Sequence, residues 1–171
     1  TEKEIEDMIR EGITSFKLYM TYPAMLVDDC DLYKIIKKLN AYGCFAGVHC
    51  ENAGLIDALI DEAKKEGRLG VENHPLVRPD EAEAEAVHRL LVIAKQAGAP
   101  VMVVHLTNKK AYEEIQAARA KGQEVYAETC PQYLLLDDSV YSLPDFQGAK
   151  FVCAPPLRKR EDQSCLWNAL A

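Results

Sequence analysis

Lys17 is the first residue whose type and position suggest chemistry, because it interrupts a predicted strand, 14–20, that is otherwise rich in apolar side chains. Burying an ammonium group is costly unless its charge is paired or removed, so a lysine within such a strand is a candidate for a neutral, reactive amine. The alternative is that the side chain extends to the rim of the sheet and keeps its amine in water. The sequence leaves both interpretations open.

Two histidines follow strands in the same way: His49 is at the end of the second predicted strand and His105 at the end of the third. Reactive groups of parallel α/β folds gather at the carboxyl ends of the strands, and neutral imidazole is a common zinc ligand. A lone histidine there is more often a core residue, but two at equivalent strand ends, together with Lys17, form a constellation. We therefore predict a functional site in which both histidines are positioned like metal ligands.

Tyr22 follows the first strand, where its hydroxyl could donate a hydrogen bond to a developing oxyanion; the alternative is simple loop packing. Cys50 is adjacent to His49, but consecutive strand residues point to opposite faces, so a cysteine nucleophile is not expected there. The remaining histidines, His74 in a proline-rich loop and His88 on an acidic helix, are expected to be solvated and receive no role.

Helices and strands alternate along the chain, which predicts an α/β fold with parallel strands joined by right-handed crossovers. The absence of a Gly-x-Gly-x-x-Gly turn leaves two architectures open, a doubly wound sheet or a partial eight-stranded barrel. Glycines 12, 43, 98 and 122 are predicted helix stops. The predicted strands are 14–20, 44–50, 99–105, 124–129 and 151–154, and the predicted helices are 2–11, 28–42, 53–66, 80–98, 108–121 and one starting near 161, with a polar loop over 137–148.

Composition excludes several classes of function. The net charge is −7, and the 20 Lys and Arg are scattered among 27 acidic residues, which argues against a nucleic-acid partner. The apolar runs are far shorter than the ~20 residues that cross a bilayer, so no membrane association and a cytoplasmic location are expected. The six cysteines include no Cys-x-x-Cys pair and are expected to be reduced, buried thiols.

Five separated segments of the chain resemble the dihydropyrimidinase and D-hydantoinase family of cyclic amidohydrolases, within the amidohydrolase superfamily. The resemblance runs from about Ile13 to Leu170. The segments that carry it are Gly12-Ile13-Thr14-Ser15-Phe16-Lys17, His49-Cys50-Glu51-Asn52, Val103-Val104-His105-Leu106-Thr107, Glu128-Thr129-Cys130-Pro131-Gln132-Tyr133-Leu134 and Phe151-Val152-Cys153-Ala154-Pro155-Pro156-Leu157-Arg158.

The resemblance implies a (β/α)8 TIM barrel with two divalent metal ions, usually zinc. A lysine matching Lys17 would react with carbon dioxide to give a carbamate that bridges the metals, His49 and His105 would bind the second metal, and Tyr22 would stabilise the oxyanion. The implied reaction is metal-assisted hydrolysis that opens a dihydropyrimidine or hydantoin ring to an N-carbamoyl amino acid. Near Ala154 the family holds the substrate ring through main-chain groups, usually with a serine at that position.

The sequence departs from the family by what it lacks. It contains no His-x-His pair and no strand-end aspartate after Ala154, so the first metal would be under-ligated. The family places those elements in parts of the barrel before Thr1 and after Ala171. We therefore expect residues 1–171 to be a single, partial catalytic-barrel domain that lacks N-terminal and C-terminal parts of a parent enzyme, and that can be metal-free and inactive alone.

Other interpretations stay open at this point. The parent could be an allantoinase or dihydroorotase relative, or a non-catalytic dihydropyrimidinase-like assembly protein, although the latter lacks the metal ligands that are retained here. An incomplete barrel would have unpaired strand edges and an open apolar interior, which favour a homo-oligomer. The expected partner of the site is a small cyclic amide.

Overall fold

The computed structural model describes residues 2–171, and its centre is one parallel sheet in which the strands follow chain order. Each strand is hydrogen-bonded to the next one along the sequence, whereas a doubly wound sheet reverses its order at a switch point. This order is that of a sector of a β/α barrel. The strands are β1 (Ser15–Tyr19), β2 (Phe45–His49), β3 (Val101–Val103) and β4 (Val125–Ala127).

The helices connect these strands, and the six helices that the sequence predicts are all present within a residue or two of the expected bounds. Side-chain oxygens of Asp28, Asn52 and Asn108 cap the amino ends of three of them, which fixes where they start. The helices are α1 (Glu2–Arg10), α2 (Asp29–Ala41), α3 (Ala53–Lys65), α4 (Asp80–Ala97), α5 (Lys109–Ala120), α6 (Pro131–Leu135) and α7 (Arg160–Leu170), with short 3-10 turns at Val71–Asn73, Asp138–Ser142 and Gln147–Phe151.

Among residues 2–171, helices cover only one face of the sheet. Helices α2, α4 and α5 pack on β2, β3 and β4, respectively, and bury that face. Each valine buried in this way stabilises the fold by roughly 1.5–3 kcal/mol relative to an exposed one. Five side chains on the covered face are each at most 5% exposed: Ala46, Val48, Val101, Val103 and Val125.

The opposite face of the sheet, which we call the open face, carries the polar residues of interest. Lys17 pairs in register with Gly47, and Tyr19 pairs with His49, so these four residues share the open face. Phe45 and Tyr126 lie on it too and are 36% and 46% exposed. In a complete barrel this face would line the interior.

The predicted fifth strand, 151–154, is wrong. Phe151 ends a 3-10 turn, and among residues 2–171 the segment that follows has no ladder partner. The carbonyl oxygen of Cys153 instead accepts a hydrogen bond from His74 Nε2 at 2.7 Å. The apolar run resembles a strand in composition, but its backbone groups are satisfied by a side chain and turns.

Each of the predicted glycine stops is confirmed, and all four lie in turns that lead into a strand. Gly98, for example, has φ +63, and its amide donates to Lys95 O at 3.2 Å, which closes α4 before β3. These turns, at Gly12, Gly43, Gly98 and Gly122, form the amino rim of the sheet.

All six cysteines are free thiols, as expected, but only Cys44 and Cys50 are buried, and Cys30 is exposed. Within residues 2–171, none of the helices has both the length and the apolar character that a membrane crossing requires.

Candidate metal centre

Lys17, His49 and His105 come together at the carboxyl ends of β1–β3, as the sequence predicts. His105 Nε2 lies 3.3 Å from Lys17 Nζ and 3.1 Å from His49 Nδ1. Three nitrogen atoms from three successive β/α units therefore converge on one point, which we call the nitrogen cluster. His49 is the last residue of β2, whereas His105 lies two residues beyond the end of β3.

Two residues at this edge have a backbone conformation that side chains rarely adopt. His105 has φ +43 and Tyr22 has φ +66, both in the left-handed region. Such conformations cost free energy and persist where the surroundings impose them, commonly at functional sites. For His105, the bend turns its imidazole back from β3 towards Lys17 and His49.

A position in an apolar strand predicts a buried side chain, but Lys17 is exposed. The reason is that no helix covers the open face among residues 2–171. The side chain as a whole is exposed, while its amine lies against His105 and 5.2 Å from the centre of the Tyr19 ring. Partial desolvation at this end lowers the pKa of Lys17. Lys17 is therefore closer to the alternative interpretation, a lysine whose side chain extends to the rim of the sheet. Its lowered pKa nevertheless favours the neutral amine more than in a free lysine.

Glu51 fixes the proton on His49. Its side chain is fully buried, and Oε2 lies 2.7 Å from both His49 Nε2 and Arg78 Nη1. Burial by itself raises the pKa of Glu51, but the hydrogen bond with His49 and the charge of Arg78 outweigh it, and the net shift is downward. An ionised carboxylate accepts, so His49 Nε2 donates, and Nδ1 turns a lone pair towards the nitrogen cluster.

His105 is held neutral by its surroundings. Burial, and next the neighbouring His49, lower its pKa to about 4. Its Nδ1 is buried and has no hydrogen-bond partner among the described residues.

The facing ring nitrogens fit a zinc ion. Two nitrogens that each lie ~2.0–2.1 Å from a tetrahedral zinc are roughly 3.3 Å apart, close to the 3.1 Å between His49 Nδ1 and His105 Nε2. The lowered pKa of His105 keeps its imidazole able to offer a lone pair, as metal binding requires. Within residues 2–171, no three His, Cys, Asp or Glu side chains are placed to hold one metal ion together. The donors of the candidate site are two imidazoles, and the third nitrogen beside them is the Lys17 amine.

Tyr22 lies beside the nitrogen cluster, as expected. Its ring centre is 5.1 Å from that of His49, and the Arg78 guanidinium carbon is 5.6 Å from the Tyr22 ring. Burial, and then the charge of Glu51, raise the pKa of the hydroxyl, which keeps it protonated and able to donate.

Ala154 is not hydrogen-bonded to Lys17, His49 or His105 in the described part of the chain. It is half-buried in the segment that His74 anchors through Cys153. The expectation that His74 is solvated is wrong, since burial lowers its pKa and its ring is hydrogen-bonded. His88 is solvated as expected, with a side chain that is 63% exposed and paired with Glu114.

Sequence reasoning missed a second buried polar group, which we call the buried network: Glu83, Thr107, Asn108 and Arg158. Glu83 Oε1 accepts from Thr107 N at 2.9 Å, and Oε2 accepts from the Thr107 hydroxyl, from Asn108 Nδ2 at 2.7 Å and from Arg158 Nη2 at 3.2 Å. Burial raises the pKa of Glu83, while the charge of Arg158 and the Thr107 donors act against that rise. A signal was available, because Glu83 stands at core spacing with Ala86, Val87 and Leu90 on α4.

No protein-family model matches the chain. Comparison with known proteins nevertheless finds relatives that share one name, D-hydantoinase. The chain is 41% identical over 171 residues to a D-hydantoinase of Streptomyces coelicolor and 44% identical over 161 residues to a D-hydantoinase of Geobacillus stearothermophilus. These matches cover 99% and 94% of this chain, but only 37% and 34% of the relatives' length.

Solved structures agree with that result. The fold superimposes on a D-hydantoinase from Bacillus sp. AR9 with a TM-score of 0.96 at 43% identity, and on a dihydropyrimidinase from Brevibacillus agri with the same score at 42% identity. Both matches cover 99% of this chain and 37% of the other. A dihydroorotase from Campylobacter jejuni, at 18% identity and a TM-score of 0.64, shares the fold alone. The α/β class and the partial barrel are thereby confirmed.

Proposed function

We propose that this chain, which belongs to the D-hydantoinase and dihydropyrimidinase family, forms one side of the metal centre of an enzyme that opens cyclic amides by hydrolysis. The substrate class is a dihydropyrimidine or a hydantoin, and the product an N-carbamoyl amino acid. The observation that carries the proposal is the nitrogen cluster, because three groups that the family uses for metal binding converge at 3.1 and 3.3 Å.

His49 Nδ1 and His105 Nε2 are the proposed ligands of one metal ion. Lys17 is the proposed site of carbamylation: in its neutral form the amine attacks the carbon of carbon dioxide, the nitrogen–carbon bond forms as one carbon–oxygen π bond opens onto oxygen, and the nitrogen releases one proton to leave a carbamate. The lowered pKa of Lys17 supports this role, since only the unprotonated amine has a lone pair. When bound, two divalent ions, zinc by preference, would polarise the ring carbonyl and activate water.

The other roles follow from position. Tyr22 donates a hydrogen bond to the oxygen that gains charge as the ring amide is attacked, for which its protonated hydroxyl beside His49 is suited. Ala154 offers main-chain groups to the substrate ring. We further propose a cytoplasmic location, supported by six unpaired thiols, and a homo-oligomeric assembly.

Metal binding by the purified chain is the first test. After expression with zinc and bicarbonate, we expect about one zinc ion per chain by elemental mass spectrometry, and its loss in His49→Ala and in His105→Ala. His88→Ala is the matched control, because this histidine is exposed and pairs with Glu114 on the surface. Zinc that survives both site substitutions would contradict the proposed centre, whereas a wild-type chain with no zinc would show that these histidines hold the metal only together with the rest of the barrel.

Ring opening is tested by grafting the chain into the D-hydantoinase of Geobacillus stearothermophilus in place of the 161 matching residues. We expect the graft to hydrolyse hydantoin and Lys17→Ala to reduce both bound metal and turnover to background. Lys64→Ala, an exposed lysine on α3, should leave both unchanged. Full turnover with Lys17→Ala would remove Lys17 from the mechanism.

A further inference from the structure

Arg158 lies at the junction of two sets of hydrogen bonds that lead to the two histidines. Its side chain is 6% exposed, and its guanidinium donates in three directions. Nη1 donates to the carbonyl oxygen of Arg78 at 2.6 Å, Nε to the hydroxyl of Thr107 at 3.0 Å, and Nη2 to Glu83. Nothing in the proposed chemistry uses this buried cation.

The first arm leads from Arg158 to His49. Arg158 holds the main chain of Arg78, the side chain of Arg78 donates to Glu51 Oε2 at 2.7 Å, and the same oxygen accepts from His49 Nε2 at 2.7 Å. The carbonyl oxygen of Arg78 immediately precedes Pro79 and α4, so this contact also fixes where that helix starts. We call this series of hydrogen bonds the first arm. It ends at Glu51 Oε2, the atom that determines which His49 nitrogen faces the nitrogen cluster.

The second arm leads from Arg158 to His105. Thr107, two residues beyond His105, accepts a hydrogen bond from Arg158 Nε, and its own hydroxyl donates to Glu83. The amide of Thr107 also donates to Glu83 Oε1 at 2.9 Å. The backbone after His105 is therefore fixed on its carboxyl side, which supports the left-handed conformation of His105.

We propose that Arg158 is a positioning residue that sets the relation between His49 and His105 through these two arms. The proposal rests on the proposed function, since it concerns the same metal centre. A guanidinium suits the task because its planar fork donates in several fixed directions at once, which an ammonium cannot do. Partners of this kind behind metal ligands commonly tune metal affinity.

Hydrogen exchange gives one reporter for each arm without any metal. In a chain uniformly labelled with nitrogen-15, the His49 Nε2 proton reports the first arm and the Thr107 amide reports the second, both followed by nuclear magnetic resonance. We expect Arg158→Met to accelerate exchange of both protons by roughly tenfold or more, as loss of hydrogen bonds to a charged group implies. Glu51→Gln should accelerate the His49 proton alone.

The controls separate positioning from general loss of stability. Arg160→Met removes a nearby arginine whose side chain is 86% exposed and should change neither reporter. Ile115→Val weakens the packing of the core on α5. It should leave the ratio of each reporter's exchange rate to the exchange rates of the core amides unchanged. Arg158→Lys keeps a charge beside Glu83 and serves if Arg158→Met does not fold: we expect Thr107 to stay protected and His49 to lose protection.

Zinc affinity, measured in the graft described above, completes the test. We expect Arg158→Met to bind zinc roughly 10–100-fold more weakly than the unsubstituted graft. Bound zinc that is unchanged by His49→Ala and by His105→Ala would overturn the proposed function. If zinc binding needs both histidines but Arg158→Met binds zinc as tightly as the unsubstituted graft, or if only one reporter responds in Arg158→Met, the joint positioning role is wrong while the proposed function stands.

Discussion

At the residue scale, the neighbours of the two histidines determine what the histidines can do. A carboxylate on one side of the His49 ring fixes the proton on Nε2, which leaves the other nitrogen to act as a ligand. The sequence contains a hint of this, because Glu51 is two residues after His49 and follows the same strand. Arg78, which holds the other side of that carboxylate, comes from a distant loop, so its role could not be predicted without the fold.

Asp137 gives a residue-scale prediction of pH dependence. Hydrogen bonds from Ser139, and next the pairing with Arg160, lower its pKa from 3.8 to about 2. The folded protein then binds fewer protons than the unfolded chain, so the stabilisation is complete above the unfolded pKa and is lost as pH falls through the folded pKa. We expect urea unfolding between pH 6 and pH 2 to show that Asp137→Asn destabilises the protein most at the upper end.

The difference between Asp137→Asn and wild type should shrink towards pH 2. Asp61→Asn, an exposed carboxylate on α3 with a 3.5 Å contact to Lys64, is the matched control and should give a small, nearly constant difference. A gap for Asp137→Asn that stays constant over the whole range would show that this carboxylate has an ordinary pKa.

At the element scale, β2 lies between the lysine and its histidine partner. Neighbouring strands are ~4.8 Å apart, so β1 and β3 are separated by roughly twice that distance. Lys17 pairs with Gly47, and its amine reaches His105 beyond β3. The Lys17 side chain therefore passes over β2 close to Gly47, which has no side chain.

Gly47→Ala tests that arrangement. A Cβ atom at Gly47 would lie 2.8 Å from Val104 Cγ1, so the side chain of Val104 must shift. We expect a loss of about 1–3 kcal/mol in unfolding free energy, as for overpacking elsewhere, and weaker zinc binding. Gly54→Ala on α3, where the nearest atom is the Asn52 side-chain oxygen at 3.8 Å, is the control and should lose neither. Equal stability of Gly47→Ala and wild type would mean that β2 and β3 adjust freely.

The helices and strands also show which parts of the fold can be predicted from local sequence patterns. The four strands and six of the helices follow from apolar runs, capping side chains and glycine stops, all of which are local signals. Residues 151–154 have the composition of a strand, but a strand needs a neighbour, and composition does not reveal one. Similarly, the polar stretch predicted as a loop contains 3-10 turns, at Asp138–Ser142 and Gln147–Phe151, that tertiary contacts hold in place.

At the scale of the whole molecule, the open face leaves apolar rings in contact with solvent. Phe45 and Tyr126 are in ring contact, with centres 5.9 Å apart, on the side of the sheet that no helix covers among residues 2–171. Strands β1 and β4 are the outer strands of this sheet. Exposed apolar surface beside unpaired strand edges favours association.

We expect the chain to self-associate with increasing concentration, and Phe45→Lys combined with Tyr126→Lys to shift it towards the monomer. Sedimentation velocity measures both. Leu69→Lys replaces an apolar residue that is 75% exposed but lies outside the sheet, and it should leave the distribution of species unchanged. A monomer at all concentrations, or association that Leu69→Lys abolishes equally, would show that the open face is not the contact surface.

The glycine turns of the amino rim lie at the opposite end of the strands from the nitrogen cluster, and this separation has a consequence for how the protein can vary. Substitutions confined to that rim act on folding without touching Lys17, His49 or His105, whereas those at the other end act on both folding and the nitrogen cluster. A protein built in this way can gain or lose thermal tolerance along one edge while its chemistry is selected along the other. Adaptation to temperature and adaptation to substrate therefore need not compete for the same positions.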